Sequence, residues 1–234
     1  MKYIILAGGK GSRLSKEGQA VSKPMTPIFN KPMIGRLIEL LKVCKAEEIL
    51  VVINKDLTDA LQYLRLLSLT SSTILKIISV PSINNFFSLR QGYKALQGKF
   101  IAITVDSILP TTEFLDFVSE SEKLDNQGIL MGITSFVDDE SPLYVNVENG
   151  VITDYHYGGE PFPSGVFVSA GVYAFSTDIM DMVCKIKEPQ SLNEMQKILA
   201  NNKIFKVLPF EFSKAMDVDH LSDIAKAENF LSLF

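Results

Sequence analysis

The chain opens with the stretch Tyr3-Ile4-Ile5-Leu6-Ala7-Gly8-Gly9-Lys10-Gly11-Ser12-Arg13-Leu14, in which a short apolar run meets a glycine-rich segment carrying two cations. The apolar run predicts a buried strand. The glycines predict a tight loop directly after it, because glycine adopts positive φ and carries no side chain. The backbone N–H groups of such a loop can surround a bulky anion, and Lys10 and Arg13 can neutralise phosphate oxygens. We therefore predict a phosphate-binding loop, against the alternative of a plain strand–turn–helix.

Two common phosphate-binding signatures do not fit this loop. A P-loop requires glycine, four further residues and then Gly-Lys-Ser/Thr, but Ile4 stands where the first glycine should be, and Gly11 follows Lys10. The dinucleotide fingerprint Gly-x-Gly-x-x-Gly requires a third glycine where Leu14 stands. The loop is therefore of another type.

The loop resembles the opening motif of the sugar-phosphate nucleotidyltransferases. The resemblance continues in order along the chain through six further motifs: Ser22-Lys23-Pro24-Met25, Asn30-Lys31-Pro32-Met33, Asn84-Asn85-Phe86-Phe87-Ser88-Leu89, Val105-Asp106, Ala170-Gly171-Val172-Tyr173-Ala174-Phe175 and Asp217-Val218-Asp219-His220-Leu221-Ser222-Asp223-Ile224. It implies an α/β fold of the nucleotide-diphospho-sugar transferase type. It also implies transfer of a nucleotidyl group from a nucleoside triphosphate to a phosphorylated acceptor, by default a sugar 1-phosphate, with release of pyrophosphate.

The resemblance also indicates which residues bind the nucleotide. Two groups are expected, the loop residues on the phosphates and base, and a second segment on the nucleobase: Leu6, Ala7, Gly8, Gly9, Lys10, Gly11 and Ser12, and Asn84, Asn85 and Ser88. Asn85 can instead cap the helix that it begins, and the two roles are compatible.

Three aspartates are the expected ligands of a Mg²⁺ ion, which neutralises the two anions that this reaction brings together. Asp106 follows the apolar run 100–105, so it emerges at the carboxyl end of a strand, unless it only caps a turn. Asp217 and Asp219 point to one side if their segment is extended. Asp219 also stands where the N-cap of the last helix is expected, so Asp217 is the better candidate and Asp219 is a ligand or a cap.

Arg13 and Lys23 are the expected electrostatic catalysts, Arg13 on the β- and γ-phosphates and Lys23 between the α-phosphate and the acceptor phosphate. Pro24 favours an extended backbone at Lys23 and thus a defined role for it. Lys214 is predicted to reach the acceptor phosphate. Gly171 is predicted to let the acceptor approach closely, although a β-bulge also explains a glycine there.

Composition narrows the class of protein. The chain has 234 residues, of which 47% are hydrophobic and 21% charged, with a net charge of −4. These values are typical of a globular protein and argue against a broad nucleic-acid surface. Cys44 and Cys184 lie in apolar helical patterns, which favours buried thiols over a disulfide. No leader and no membrane-length apolar run is evident, so a cytoplasmic protein with no membrane partner is expected.

The first half of the chain alternates short apolar strands with amphipathic helices, which predicts a mainly parallel sheet flanked by helices. The predicted strands are Tyr3–Leu6, Glu48–Ile53, Thr73–Ser79 and Phe100–Val105, and the predicted helices are Met33–Val43, Leu57–Leu67 and Asn85–Leu96. In such sheets, ligands bind at the carboxyl ends of the strands.

The second half contains more strands, with an Asn149-Gly150 hairpin turn. Its predicted strands are Gly128–Phe136, Leu143–Val147, Val151–Tyr157, Phe167–Phe175 and Ile204–Leu208, and its predicted helices are Asp178–Ile186, Leu192–Ala200 and one from about Leu221. We predict a single domain, 1–234, with a nucleotide-binding half at about 1–125 and an acceptor-binding half at about 126–234. A homo-oligomer is compatible with this organisation.

The chain departs from the family pattern around the acceptor. Many members carry Pro-Leu-Thr after the Arg-Leu pair, whereas Ser15-Lys16-Glu17-Gly18 stands here, and Gly159-Glu160-Pro161 only partly matches the usual Glu-Lys-Pro. A phosphocholine-like acceptor therefore stays open.

Two other functions are considered, a glycosyltransferase that uses an NDP-sugar, and an inactive nucleotide-binding module. The first requires Asp-x-Asp where Asp106-Ser107-Ile108 stands, and retention of the charged motif residues argues against the second.

Overall fold

The computed structural model describes residues 1–81, 84–125, 127–138 and 140–232. Residues 82, 83, 126, 139, 233 and 234 of the predicted domain lie outside the described residues. The strands are β1 (Lys2–Ala7), β2 (Pro27–Ile28), β3 (Lys31–Pro32), β4 (Glu48–Asn54), β5 (Ile74–Val80), β6 (Lys99–Thr104), β7 (Ser107–Ile108), β8 (Gly128–Thr134), β9 (Leu143–Glu148), β10 (Val151–Tyr157), β11 (Val168–Ser176), β12 (Lys206–Phe212) and β13 (Met216–Asp217). The helices are α1 (Ser12–Lys16), α2 (Met33–Val43), α3 (Thr58–Thr70), α4 (Asn85–Tyr93), α5 (Thr111–Lys123), α6 (Thr177–Ile186), α7 (Leu192–Asn201) and α8 (Leu221–Leu231), with a 3-10 turn at Lys23–Met25.

Nine of the described strands form one mixed sheet with the main order β12-β8-β11-β6-β1-β4-β5, and the pairs β2–β3 and β7–β13 form two small sheets. Four strand pairs are parallel: β1–β4, β1–β6, β4–β5 and β8–β12. Strand β11 runs antiparallel to both of its neighbours β6 and β8. The β9–β10 hairpin joins this sheet through β11. The predicted α/β class, with a mainly parallel Rossmann-like sheet flanked by helices, is confirmed.

Alternation along the strands creates two apolar layers, one on each face of the sheet. In β1, Tyr3 and Ile5 face a layer that includes α2, α3 and α5, while Ile4 and Leu6 face a layer that includes α4, α6 and α7. Successive strand residues point to opposite faces, so a continuous apolar strand must be covered on both sides. β1, β4 and β6 follow this rule, whereas β5 is the edge strand of the sheet and buries only Val80 fully.

The predicted elements agree with the structure to within a few residues, but several elements were not predicted: the short helix α1, the 3-10 turn, the two-residue strands β2, β3, β7 and β13, and the longer helix α5. The sequence analysis left residues 111–123 unassigned, but they form α5, which buries Phe114, Phe117 and Val118. The Asn149-Gly150 hairpin is confirmed, because both residues have positive φ, 52° and 74°, between β9 and β10. Both cysteines are free and only partly buried.

The carboxyl ends of β1 and β6 lie side by side in the sheet, because Leu6 pairs with Thr104. The glycine loop and Asp106 follow these two ends, as the sequence predicted. A survey of the described helices finds none with the length and apolar character to cross a bilayer.

Candidate active site

The glycine loop packs tightly between two other motifs. Gly11 has a φ of 63°, and a Cβ there would lie 2.5 Å from the Cβ of Lys23. A Cβ on Gly8 would lie 2.2 Å from the Oγ of Ser88. Glycine is therefore required at Gly11, where the φ is positive and a side chain would displace Lys23, whereas a side chain at Gly8 would only force the Ser88 hydroxyl to rotate. Lys10, on the same loop, and Ser12, the first residue of α1, are both exposed.

The predicted nucleobase segment begins α4. The Asn84 side chain accepts a hydrogen bond from the N–H of Phe87 (2.9 Å) and donates one to the carbonyl of Gln190 (2.8 Å). Asn84 is thus the N-cap, and the expectation that Asn85 caps the helix is wrong. Ser88 donates from its hydroxyl to the carbonyl of Asn84 (3.3 Å) beneath Gly8. These contacts fix the first turn of α4 and tie it to Gln190, and the roles of all three residues in base binding stay predictions.

A two-residue strand pair brings the distant aspartates together. β7 directly follows Asp106 and pairs antiparallel with β13, so that Ser107 lies opposite Asp217. The N–H of Val218 also donates to the carbonyl of Asp106 (3.3 Å). Residues 217–219 are therefore placed beside the carboxyl end of β6.

Lys23 lies between two of these carboxylates. Its Nζ donates to Oδ2 of Asp106 and to Oδ1 of Asp219, and Arg13 Nη1 donates to Oδ2 of Asp219 (2.7 Å). Burial alone would lower the pKa of Lys23, but the two carboxylates raise it well above its ordinary value. Burial alone would likewise raise the pKa of Asp106, and the Lys23 ammonium instead holds it below the ordinary value. Both groups are therefore charged at neutral pH.

Asp217 and Asp219 differ in their surroundings. Asp217 accepts a hydrogen bond from the Ser107 hydroxyl (3.4 Å), which itself contacts the buried Thr104 hydroxyl (2.6 Å). Asp219 shares Lys23 with Asp106. Asp219 is also not the N-cap of α8, because that position is His220. The geometry thus favours Asp219 over Asp217 as the partner of Asp106, the reverse of the preference drawn from the sequence.

A cavity of about 490 Å³ opens next to these carboxylates. Its lining includes Arg13, Phe136, Ser169, Ala170, Asp217 and Asp219. The neighbouring Gly171 has a φ of 72°, and a Cβ there would lie 2.3 Å from Ser107 Oγ and 2.7 Å from Thr104 Oγ1. The register between β11 and β8 also shifts between Ser169 and Tyr173, so Gly171 sits in the β-bulge that the sequence analysis had considered as an alternative.

Lys214 lies near this cavity but does not line it. Its Nζ is 4.1 Å from the centroid of the Phe136 ring and 5.0 Å from that of Phe230, a cation–π arrangement. The acceptor-binding role of Lys214 stays a prediction.

The donor set fits a hard divalent cation. Within residues 1–81, 84–125, 127–138 and 140–232, no group of three or more His, Cys, Asp and Glu side chains forms a ready metal centre. Mg²⁺, however, commonly uses one or two protein carboxylates together with substrate phosphates and water. Asp106 and Asp219 supply two carboxylates that already converge on one positive charge. They are the residues that would hold the ion.

Residues 3–143, more than half of the chain, match the MobA-like NTP transferase domain. The chain belongs to the MobA-like NTP transferase family. This match confirms the family expectation drawn from the motifs. A glucose-1-phosphate thymidylyltransferase of Actinoplanes sp. is 46% identical over 67 residues, which cover 29% of this chain and 22% of that protein. The matched segments span about a fifth of the length of the first curated relatives.

Solved structures share the fold of this MobA-like NTP transferase. A Bacillus anthracis protein assigned as a glucose-1-phosphate thymidylyltransferase superposes with a TM-score of 0.83 at 19% identity, over 98% of this chain and 94% of that one. The inositol-1-phosphate CTP transferase of T. maritima superposes with a TM-score of 0.75 at 16% identity, over 99% and 94%. At these identities the comparison bears on the fold alone.

Glu17 is the contact residue that the sequence analysis missed. It appeared there only as part of a departure from the family pattern, and His220 appeared only within the closing motif. The structure brings Glu17 to the N-terminus of α8, where its carboxylate contacts His220 Nδ1 and the N–H of Leu221 (2.7 Å). No residue spacing signals this contact, because its partners are more than 200 positions apart.

Proposed function

We propose that this protein transfers a nucleotidyl group from a nucleoside triphosphate to a phosphorylated small-molecule acceptor, with a sugar 1-phosphate as the main candidate, and releases pyrophosphate. The observation that carries the proposal is the junction of Lys23 with Asp106 and Asp219, between a glycine loop and an open cavity. A triphosphate on the loop and an acceptor in the cavity would meet at this junction.

In this proposal the chain's own cations and carboxylates divide the work. Arg13 binds the β- and γ-phosphates, and Lys23 draws the α-phosphate and the acceptor phosphate together by neutralising their repulsion. Asp106 and Asp219 hold a Mg²⁺ ion, which supplies further charge neutralisation. Residues 1–125 form the nucleotide half and residues 126–234 the acceptor half.

Other properties belong to the same proposal. Mg²⁺ is the proposed ion because hard carboxylate oxygens suit it. The cytoplasm is the proposed location, which the two free thiols support. Binding of the acceptor phosphate by Lys214 and a homo-oligomeric state stay predictions.

The test is pyrophosphate release from the purified protein with Mg²⁺, using the four common nucleoside triphosphates against sugar 1-phosphates, phosphocholine and other alcohol phosphates. Release in at least one pair, and its loss in Asp106→Ala, is expected. Release only with phosphocholine would show that the acceptor is phosphocholine and not a sugar 1-phosphate. No release in any pair would contradict the proposed transfer and favour a module that only binds nucleotides.

A further inference from the structure

Glu17 joins the glycine-loop region to the last helix. It directly follows α1, and its two carboxylate oxygens contact the first residues of α8: Oε1 faces His220 Nδ1, and Oε2 accepts from the N–H of Leu221 (2.7 Å). Nothing in the proposed reaction uses this contact. It occupies the position where the chain departs from the family pattern, at Ser15-Lys16-Glu17-Gly18.

The contact borders the backbone of Asp219. The N–H groups of Asp219 and His220 both donate to Oδ2 of Asp223, at 3.1 and 2.8 Å. The next N–H along the chain, that of Leu221, donates to Glu17. The carboxylates of Asp223 and Glu17 thus bind the three consecutive N–H groups of residues 219–221. Together they hold the backbone at Asp219 and so orient its side chain.

The same short helix also contacts the Asp219 carboxylate. Arg13, in α1, donates to Asp219 Oδ2 (2.7 Å), while Glu17, just after α1, binds the backbone two residues beyond Asp219. A carboxylate at a helix N-terminus is also stabilised by the partial positive charge there. The N–H of Leu221 and then the His220 side chain lower the pKa of Glu17, so this carboxylate is ionised at neutral pH.

Glu17 is not needed to hold α8 in the fold. The helix buries Ala227 and Phe230 in an apolar cluster with Ile28 and Met33. Toward its other end, the Glu228 carboxylate accepts from the N–H of Phe29 (2.7 Å). Loss of Glu17 would therefore loosen the first turn of α8 and leave the rest packed.

We propose that Glu17 is a positioning residue, which clamps the first turn of α8 so that the Asp219 carboxylate faces Asp106 and their affinity for a divalent cation is set. This inference rests on the proposed function in treating Asp106 and Asp219 as the metal-binding pair. Hydrogen-bonding partners that orient metal-binding carboxylates typically contribute about 10–100-fold in metal affinity or activity.

The test measures binding of Mn²⁺, a paramagnetic substitute for Mg²⁺, to the free protein by electron paramagnetic resonance. Glu17→Ala is expected to weaken Mn²⁺ binding about 10-fold or more. The Mn²⁺ affinity of Glu17→Gln, which keeps one oxygen acceptor, is expected to lie between those of Glu17→Ala and the wild type. Glu228→Ala is the matched control, because it removes a carboxylate-to-backbone contact from the same helix, and it should bind Mn²⁺ like the wild type.

The Mg²⁺ dependence of the rate distinguishes a positioning role of Glu17 from a general destabilisation of α8. With the triphosphate and acceptor pair found active, Glu17→Ala should require more Mg²⁺ for half-maximal rate and regain most of its kcat at saturating Mg²⁺. Equal Mn²⁺ affinity in Glu17→Ala and the wild type would overturn the inference, as would an equal loss in Glu228→Ala. If Glu17→Ala does not fold, Glu17→Gln decides by the same criteria.

The proposed function can fail separately. If no triphosphate and acceptor pair releases pyrophosphate while Glu17→Ala still weakens Mn²⁺ binding, the transfer reaction is contradicted and the positioning role stands. If the wild type binds no Mn²⁺, the positioning role is contradicted whatever the transfer assay shows.

Discussion

At the scale of single residues, Lys23 is the cation that joins the two carboxylates of the candidate site. Its side chain is mostly buried, and its ammonium is the shared partner of Asp106 and Asp219. Breaking a buried ion pair by removing one partner is costly, because the remaining charge is left uncompensated. Removal of Lys23 would leave Asp106 without a counter-charge and Asp219 with Arg13 alone, so loss of this ammonium is expected to destabilise the fold as well as to stop the proposed reaction.

Replacing Lys23 with methionine tests both roles. We expect Lys23→Met to abolish pyrophosphate release and to lower the free energy of unfolding by about 3 kcal/mol, since Asp106 loses its counter-charge and Asp219 keeps only Arg13. Mg²⁺ should raise the melting temperature of this variant more than that of the wild type, because the ion can replace the missing charge. Thermal unfolding with and without Mg²⁺ measures this effect. Lys31→Met, which removes the exposed pair with Glu39, should behave like the wild type, and an equal Mg²⁺ response in all three proteins would contradict the prediction.

Asp106→Ala separates chemistry from folding. The variant should lose pyrophosphate release while its circular dichroism spectrum stays that of the wild type, because Asp106 stands after the strand and not within the apolar layers. Asp116→Ala, on the exposed side of α5, is the control. Turnover like that of the wild type in Asp106→Ala would remove Asp106 from the mechanism.

Gly171→Ala measures how closely the backbone approaches Ser107 and Thr104. The added Cβ would lie 2.3 and 2.7 Å from their hydroxyl oxygens at a φ of 72°, so we expect a loss of about 2–4 kcal/mol of stability from backbone strain plus overpacking. Gly150→Ala has nearly the same φ, 74°, with open space around it, and should lose only about 1 kcal/mol. Urea denaturation of both variants measures their losses of stability, and the difference between the two losses is the contribution of the close contacts with Ser107 and Thr104. Equal losses in the two variants would contradict the prediction that these contacts are costly.

At the scale of elements, apolar periodicity predicted most of the sheet and its covering helices. Strand β4, for example, is a run of seven residues with six buried, so its central place follows from composition alone. Helix α5 was missed although Phe114, Phe117 and Val118 have the i, i+3, i+4 spacing of an amphipathic helix, so its signal was present in the sequence. Short pieces such as β7 and β13 carry no periodic signal, since their pairing depends on tertiary contacts.

Helix α3 anchors the segment that precedes Lys23. The Ser22 N–H donates to Oδ2 of Asp59 (2.9 Å). Burial by itself would raise the pKa of Asp59, but this hydrogen bond and others lower it from its ordinary value of 3.8. A lowered folded-state pKa gives stability that is present above the unfolded-state pKa and lost as the pH falls through the folded-state pKa.

Asp59→Asn should therefore lose about 1 kcal/mol of stability at pH 7. The difference from the wild type should shrink as the pH falls below about 4, because the wild-type carboxyl is then protonated as well. Urea denaturation at pH 7 and near pH 3 provides the measurement. A difference that stays constant with pH would show that the ionised form of Asp59 is not responsible.

At the scale of the whole molecule, the candidate site joins segments that are far apart in sequence. The motifs predicted three aspartates as metal ligands, and that role stays a prediction. They also favoured Asp217, whereas in the structure Asp219 shares Lys23 with Asp106. The choice depends on the β7–β13 pairing and on His220 capping α8. Glu17 could not have been predicted at all, since only the folded chain brings it to Leu221.

Ligand binding should stabilise the whole molecule. At a concentration about 100 times its dissociation constant, a Mg²⁺–triphosphate complex should add about 2.7 kcal/mol to the free energy of unfolding. Removal of Mg²⁺ with EDTA should abolish most of this gain, because the triphosphate then lacks the ion that Asp106 and Asp219 would share with it. Thermal shift assays on the wild type and Asp106→Ala provide the comparison, and equal shifts in both proteins would contradict the assignment of Asp106.

The β7–β13 pair also has a consequence for biosynthesis. Its paired residues Ser107 and Asp217 are 110 positions apart, so a ribosome releases the first of them long before the second. A nascent chain with its first strands already folded still has Lys23 and Asp106 without Asp219. The junction of Lys23 with Asp106 and Asp219 is thus assembled only after residue 219 has been synthesised. A polypeptide terminated before that residue would carry the glycine loop without the complete candidate site.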